Sequence, residues 1–161
     1  MDKIRVPYSV IKKMAHVFRA SDFHVKAVIR KTDKDVFVYD VLPASEKPVV
    51  AGIAIDIGTT SVSAIIIDML NGAVLAKGSA GNGQIRYGAD VINRIIESGK
   101  PGGREKLQDA IIKETLNPLI LNMCANAKIK PAQVYRLAIG ANTTMNHLLM
   151  GVDADPVRME P

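Results

Sequence analysis

The sequence has one cysteine, no tryptophan and few other aromatic residues, and each shortage excludes a class of protein. A single thiol cannot form a disulfide within the chain or supply a cluster of cysteine metal ligands. Aromatic residues make up 4% of the chain, so a stacking platform for single-stranded nucleic acid is poorly supplied. Cys124 lies on an apolar helical stripe, where a buried structural thiol is expected. Nucleic acid is therefore not an expected partner.

Long hydrophobic runs are also missing. The longest uninterrupted apolar runs, such as residues 64–67, are far too short to cross a bilayer. The first residues lack the apolar core of a signal peptide. We therefore expect no membrane association and a reducing, cytoplasmic location.

Lys and Arg outnumber Asp and Glu, which gives a formal charge of +5 over 161 residues. The basic residues are scattered, and their densest group comprises Lys26, Arg30, Lys31 and Lys34. We interpret this group as the solvated face of a hairpin, with an acidic protein partner as the alternative. Hydrophobic residues at 48% indicate a packed core rather than disorder.

The pattern of apolar residues predicts a small unit over residues 1–48. A helix over residues 9–18 is followed by strands over residues 23–30 and 36–41, and residues 43–48 are typical of a linker. From residue 49 the predicted order is strand, strand, strand, helix, helix, strand, helix. The Asn71-Gly72 pair predicts a hairpin between the second and third strands. Pro118 is expected to kink or split a long helical segment over residues 104–128.

The chain is organised around two apolar runs that flank the polar turn 56–61. Neither run contains a charge, which predicts strands buried on both faces. The turn supplies a carboxylate, a glycine and three hydroxyl groups, and this combination is typical of a hairpin that binds phosphate. No GxxxxGKS/T loop occurs, so the chain is not a P-loop protein.

Four sequence blocks support a more specific interpretation. They are Ala54–Ser61, Asn82–Gln84, Tyr87–Ile95 and Gly140–Gly151. Together they resemble the reductive activators of corrinoid proteins, which are ATP-dependent iron–sulfur proteins that return inactive cob(II)alamin to cob(I)alamin. The chain departs from the family pattern at three positions: Gly83 replaces a usual proline, Asn93 a common serine, and Pro118 interrupts a helix.

The resemblance implies an α/β fold. Residues 49–161 would form the ribonuclease-H-like first lobe of the actin-like ATPase fold, which acetate and sugar kinases share. Residues 1–48 would be the end of a small α+β middle domain plus a linker. The second lobe and a ferredoxin domain with a 2Fe–2S cluster would lie outside this chain, so we expect it to be an internal fragment.

The resemblance also implies a nucleotide site. The backbone amides and hydroxyls that would bind the phosphates of ATP belong to Gly58, Thr59, Thr60 and Ser61. Asp56 would hold Mg²⁺ through water. Asn142 and Thr143 would approach the nucleotide from the end of the fourth strand, and capping of the last helix is the alternative for them.

The sequence is less specific about which residue would orient the attacking water. Asn82, Gln84 and Asp90 follow the third strand, and Gln84 and Asp90 are the candidate catalytic residues. Asp90 is equally well explained as an acid that stabilises the first turn of a helix. His147 is expected to be a packed helix residue.

The implied function is that of a fragment of an ATP-dependent activator, with ATP and Mg²⁺ as ligands of the parent protein. A corrinoid protein of a methyltransferase system would be its partner, and a homodimer stays open. The fragment alone is expected to lack reductase activity and to bind ATP weakly. Two alternatives remain: a metabolite kinase of the same superfamily, and a non-catalytic module that docks an acidic protein through the hairpin 23–41.

Overall fold

A computed structural model describes residues 3–159 as a mixed α/β protein with two sheets. The chain divides into two compact units, with the division between Val50 and Ala51. Within the described residues, no helix combines the length and the apolar character needed to span a bilayer.

The first unit contains a three-stranded sheet and one helix: β1 (Lys3–Arg5), α1 (Tyr8–Ala20), β2 (Val25–Lys31) and β3 (Asp35–Pro43). The strand order is β1-β3-β2, with β1 parallel and β2 antiparallel to β3. Helix α1 packs on β3, and the buried hydrophobic side chains of the described unit are Val10, Val28, Val41 and Val50. The predicted helix and both predicted strands are confirmed, whereas β1 was not predicted because three residues carry too little alternation.

The start of β2 differs from the prediction. Asp22 and Phe23 have positive φ angles of 49° and 61°, so they form a turn, and the strand begins at Val25 rather than at residue 23. Left-handed backbone is incompatible with an extended strand.

The second unit contains a four-stranded sheet. Its strands are β4 (Ala51–Ile57), β5 (Ser61–Asp68), β6 (Val74–Gly81) and β7 (Val134–Ala141). The order is β6-β5-β4-β7, with β4, β5 and β6 antiparallel and β7 parallel to β4. The predicted run of three antiparallel strands and a later fourth strand is confirmed.

Helices cover one face of this sheet. They are α2 (Val91–Ser98), α3 (Gly103–Ile111), α4 (Asn117–Asn126), α5 (Thr143–Met150) and the short α6 (Asp155–Arg158). A π-helical segment, residues 112–116, separates α3 from α4. Pro118 stands in the first turn of α4, directly after the π-helical segment, so the regular hydrogen-bond pattern changes just before the residue that has no N–H to donate. The predicted split at this proline is confirmed.

The prediction that β4 and β5 are buried on both faces is wrong. Along β4, Ile53, Ile55 and Ile57 are buried, whereas Ala54 and Asp56 are exposed. The strands alternate because successive side chains point to opposite faces, and within residues 3–159 helices pack against only one of those faces. The apolar composition of β4 hid this alternation, because the small apolar side chain of Ala54 occupies an exposed position.

Cys124 lies in α4 and is buried, as the sequence predicts. Burial also raises the pKa of the Cys124 thiol, because the interior disfavours the thiolate. The buried thiol is therefore a structural part of the core rather than a reactive group.

Candidate phosphate-binding site

Two loops emerge together at one edge of the four-stranded sheet. Strands β4 and β7 are parallel neighbours and end in register, with Ile57 paired to Ala141. The turn that follows β4 and the start of α5 after β7 therefore lie side by side. The side-chain amide of Asn142 donates to Thr59 Oγ1 over 3.4 Å. The structure thus brings together two of the residues expected to bind phosphate.

The turn after β4 is held through its carbonyl groups. Asn82 donates its side-chain amide to Gly58 O at 2.9 Å and its backbone N–H to Thr60 O at 2.8 Å. Arg94 donates from Nη2 to Thr59 O at 2.6 Å. Gly58 N–H closes the turn by donating to Ser61 O at 2.9 Å. Carbonyl oxygens 58, 59 and 60 consequently all face protein donors.

The backbone amides of the turn face away from those donors. In a trans peptide the C=O and the N–H of the next residue point in opposite directions, and the described chain has no cis peptide bond. Because Gly58 O and Thr59 O point inward, the N–H groups of Thr59 and Thr60 point outward. Neither N–H donates a hydrogen bond to any group in residues 3–159. Successive free amides on a tight turn form a concave site for an anion.

Two glycines shape this region by sterics. A Cβ atom on Gly58 would stand 2.7 Å from Ser61 O, inside the turn itself. A Cβ atom on Gly88 would stand 2.7 Å from the backbone nitrogen of Arg94. Larger residues at either position would displace the turn or the arginine that holds it.

Arg94 is the main residue that the sequence analysis missed. The apolar residues of α2 suggest that Val91, Ile92, Ile95 and Ile96 form its buried face, but Ile92 and Ile96 are 48% and 45% exposed, whereas Arg94 is 0% exposed. Its Nε donates to Gly88 O at 2.8 Å, and Nη1 lies 3.3 Å from Met145 Sδ. The only signal in the sequence is that Arg94 lies at helical spacing between Val91, which is half-buried, and Ser98, which is buried.

Burial lowers the pKa of the Arg94 guanidinium from its usual value, and the carboxylate of Asp90 opposes this shift. Within the described chain Arg94 forms no salt bridge. The site therefore has a buried positive charge directly behind the turn.

Asp56 lies two residues before the turn, on the open face of the sheet. It is paired in register with Ser63 on β5 and with Gly140 on β7. No group in residues 3–159 makes a hydrogen bond or a salt bridge with its carboxylate. Asp56 also lines an open groove of about 630 Å³, which Ser63, Lys77 and Ser79 line from the neighbouring strands. The carboxylate is free to bind a hydrated cation.

The two candidate catalytic residues occupy different environments. Gln84 is 1% exposed and donates from Nε2 to Leu107 O at 2.9 Å, and its Oε1 has no hydrogen-bond partner in the described residues. Asp90 is the N-cap of α2, and its oxygens accept from the backbone and side-chain amides of Asn93 at 2.8 and 2.9 Å. The amide of Gln84 is thus not presented at the edge of the sheet. A role for either residue in orienting water stays a prediction.

The start of α5 is defined by its own cap. Asn142 Oδ1 accepts from the backbone N–H of Met145 at 2.9 Å, so Asn142 both caps the helix and contacts Thr59. Thr143 is the exposed first residue of α5. His147 Nδ1 lies 2.8 Å from the carbonyl oxygen of Thr143. Gly151, with φ of 66°, ends the helix as predicted.

Comparisons with known proteins agree on one family. The family described as the RACo middle region matches residues 51–161. A relative from Eubacterium limosum, the corrinoid activation enzyme RamQ, is 34% identical over 156 residues, which cover 96% of this chain and 26% of RamQ. A solved structure of a reductive activator for a corrinoid, iron–sulfur protein has a TM-score of 0.83 and 32% identity, and the match covers 99% of this chain and 26% of that one. The chain thus spans about a quarter of the length of these proteins.

Proposed function

This chain belongs to the RACo middle region family, and on that premise we propose that it is a segment of an ATP-dependent reductive activator of corrinoid proteins. The longer protein is called the parent protein below. Its activity would return the inactive cob(II)alamin of a corrinoid protein to cob(I)alamin. The observation that carries the nucleotide part of this proposal is the turn 58–60, whose carbonyls are held from within and whose amides are free.

We assign the second unit to the first lobe of an actin-like ATPase with a ribonuclease-H-like sheet. Three antiparallel strands and a fourth strand parallel to the first support this assignment. Residues 1–48 are assigned to the end of a small α+β domain plus a linker. The match to the RACo middle region covers residues 51–161, so the first unit lies before the matched residues.

The terminal phosphates of ATP would bind at the turn. The free N–H groups of Thr59 and Thr60 would donate to phosphate oxygens, and the hydroxyls of Thr59, Thr60 and Ser61 would add donors at the rim. Asn142 and Thr143 would contribute from the start of α5, next to the turn. Because the amides already point outward, binding would require little rearrangement.

The free, exposed carboxylate of Asp56 fits a hydrated magnesium ion, which keeps several of its waters when it binds to proteins. Asp56 would hold the ion through water beside the turn. Magnesium, when bound, would neutralise charge on the phosphates. Asp90 or Gln84 would orient the attacking water; for Gln84 this would require its amide to move from its contact with Leu107 O.

The residues of this chain do not fit a 2Fe–2S cluster, which needs four protein ligands, since the chain has one cysteine and that cysteine is buried. The cluster would belong to another part of the parent protein. ATP would drive closure of two lobes, and the conformational change would be coupled to electron transfer toward a corrinoid protein of a methyltransferase system. The mass of the parent protein in solution tests whether it forms a homodimer.

The test is titration of Mg·ATP into the parent protein by calorimetry. We expect measurable binding, and Asp56→Asn is expected to weaken it by roughly 10- to 100-fold in Mg²⁺, because the side chain loses the charge that holds the hydrated ion. Asp109→Asn is the matched control, since Asp109 is an acid of α3 whose half-exposed side chain pairs with Lys113.

The outcomes separate the two parts of the proposal. Equal Mg·ATP affinity of the wild type and Asp56→Asn would remove Asp56 from the metal site. Failure of the wild-type parent protein to bind ATP at all would overturn the proposed function.

A further inference from the structure

We propose that Arg94 is a positioning residue of the phosphate site, and that a phosphate bound on the outer side of the turn is the anion that neutralises its buried charge. This inference rests on the proposed function and adds a residue and an electrostatic role to it. Three features carry it: the burial of Arg94, the absence of an ion pair around it, and the particular peptide group that it holds.

Arg94 is fully buried, and within residues 3–159 its guanidinium has only neutral hydrogen-bond partners. Its hydrogen bonds go to the carbonyl oxygens of Gly88 and Thr59, and its third contact is the sulfur of Met145. Asp90 is close enough to oppose the lowering of the arginine pKa, but its two oxygens are occupied by the Asn93 amides. Buried cations are normally paired with a carboxylate or another anion. In the described residues no such partner contacts Arg94.

The position of the guanidinium relates it directly to the site. Arg94 Nη2 bonds to Thr59 O, and that carbonyl shares its peptide group with the free N–H of Thr60. A cationic donor on the carbonyl polarises the peptide and strengthens its N–H as a donor. An anion bound by Thr60 N–H would therefore lie across one peptide group from the positive charge. The arginine would hold the turn in its amide-out conformation and would attract the anion through it.

The neighbouring peptide group provides an internal comparison. Gly58 O is held by the neutral side-chain amide of Asn82, and the same peptide carries the free N–H of Thr59. Asn82 thus holds its carbonyl in position only, whereas Arg94 holds its carbonyl in position and also adds a positive charge. The turn is fixed twice, once by a neutral donor and once by a cation.

The experiment separates the charge of Arg94 from its hydrogen bonds in the parent protein. Arg94→Gln keeps N–H donors without charge, and Arg94→Lys keeps the charge with a different donor geometry. Affinity for Mg·ATP and for inorganic pyrophosphate is measured by calorimetry at slightly acidic pH, where a buried lysine keeps its proton. We expect Arg94→Gln to weaken both affinities by roughly 10- to 100-fold and Arg94→Lys to restore most of that loss.

A matched control distinguishes this role from simple support of the fold. Ser98 is also buried on α2, but its hydroxyl donates to Ile95 O within the same helix. Ser98→Ala is expected to lower the unfolding temperature without a change in either affinity. The thermal stabilisation produced by pyrophosphate should be nearly lost in Arg94→Gln and kept in Ser98→Ala and Arg94→Lys.

Three results would overturn the inference. Wild-type affinity in Arg94→Gln would show that the charge is not used. An equal loss in the Gln and Lys variants would show that only the geometry matters. If Arg94→Gln and the volume-matched Arg94→Met both fail to fold while Arg94→Lys folds without binding pyrophosphate, the role is structural only. Absence of ATP and pyrophosphate binding in the wild type would instead reject the proposed function itself.

Discussion

The two hairpin turns of the four-stranded sheet are closed in opposite ways. The β4–β5 turn, residues 58–60, is held by donors from Asn82 and Arg94, which lie 24 and 35 residues away from their acceptors in the chain. The β5–β6 turn, residues 69–73, is held by its own residues. One turn therefore depends on tertiary structure, whereas the other is specified locally.

The β5–β6 turn uses its own amides. Asp68 Oδ1 accepts from the backbone N–H of Leu70 at 2.9 Å, and Asn71 Oδ1 accepts from that of Ala73 at 2.8 Å. Gly72 N–H donates to Asp68 O at 2.8 Å. Side chains of this kind often satisfy the backbone of a turn. Because the carboxylate of Asp68 already accepts from a backbone amide of this turn, the turn is unsuited to binding an anion.

The difference indicates how a common hairpin can become a binding site. In the β4–β5 turn the carbonyl groups are bound and the amides of Thr59 and Thr60 are free. In the β5–β6 turn the amides are occupied by local acceptors. Substitutions at matched positions of the two turns should therefore have different effects on nucleotide affinity.

The largest difference is expected between the two turn glycines. Gly58→Ala places a Cβ 2.7 Å from Ser61 O, so the turn must shift. We expect the free energy of unfolding to fall by about 1–3 kcal/mol and the parent protein to bind Mg·ATP at least tenfold more weakly. In Gly72→Ala no atom lies within 4 Å of the new Cβ. The strain of an alanine at a φ of 76° should lower the free energy of unfolding by about 1 kcal/mol. Denaturant unfolding and calorimetry measure both quantities. Equal affinity losses in the two variants would contradict the comparison.

A smaller difference is expected between the two asparagines. Asn82→Ala leaves Gly58 O and the Gln84 N–H without their partners in the interior, which should cost about 1–3 kcal/mol and weaken Mg·ATP binding. Asn71→Ala removes exposed hydrogen bonds to Ala73 N–H and Asp68, whose groups regain water, and should cost about 0.5–1.5 kcal/mol. Its Mg·ATP affinity should equal that of the wild type. A loss of affinity in Asn71→Ala would show that the second turn also serves the site.

The smallest effect is expected for Asp68→Asn. The amide oxygen can still accept from Leu70 N–H, and the position is near the surface, so the unfolding free energy should change by less than about 0.5 kcal/mol. Binding of Mg·ATP should be unchanged, in contrast to Asp56→Asn on the neighbouring strand β4. A fall in affinity comparable to that of Asp56→Asn would mean that both acids act through the general charge of the sheet.

Much of the fold could be predicted because its elements follow from residue patterns over short stretches of the sequence. Alternating apolar residues predicted β2 and β3, and the Asn71-Gly72 pair predicted the second hairpin. Pro118 marked the break between α3 and α4. The prediction failed where residues lacked a pattern, as in the three-residue β1, or where alanine concealed an exposed face, as at Ala54. This small side chain is compatible with both buried and open positions.

The candidate site was predictable only in part. The turn and Asp56 were proposed as site residues because their residue types suit phosphate and a hydrated cation. Arg94 was missed because an arginine on an amphipathic helix is normally solvated, and only its contacts with Thr59 O and Gly88 O explain its burial. The position of Gln84 beside Leu107 O was equally invisible in the sequence.

By itself the sequence determined most of the strands, the two hairpins of the four-stranded sheet and the chemistry of the turn residues, because these depend on neighbours a few positions apart. Only the tertiary structure decided which side of the β4–β5 turn is free. That choice depends on Asn82 and Arg94, which come from other elements and bind the carbonyls. Trans peptide groups then direct the amides outward. Contacts across such distances in the chain leave no local periodicity, so the direction of the amides could be seen only after the elements had packed.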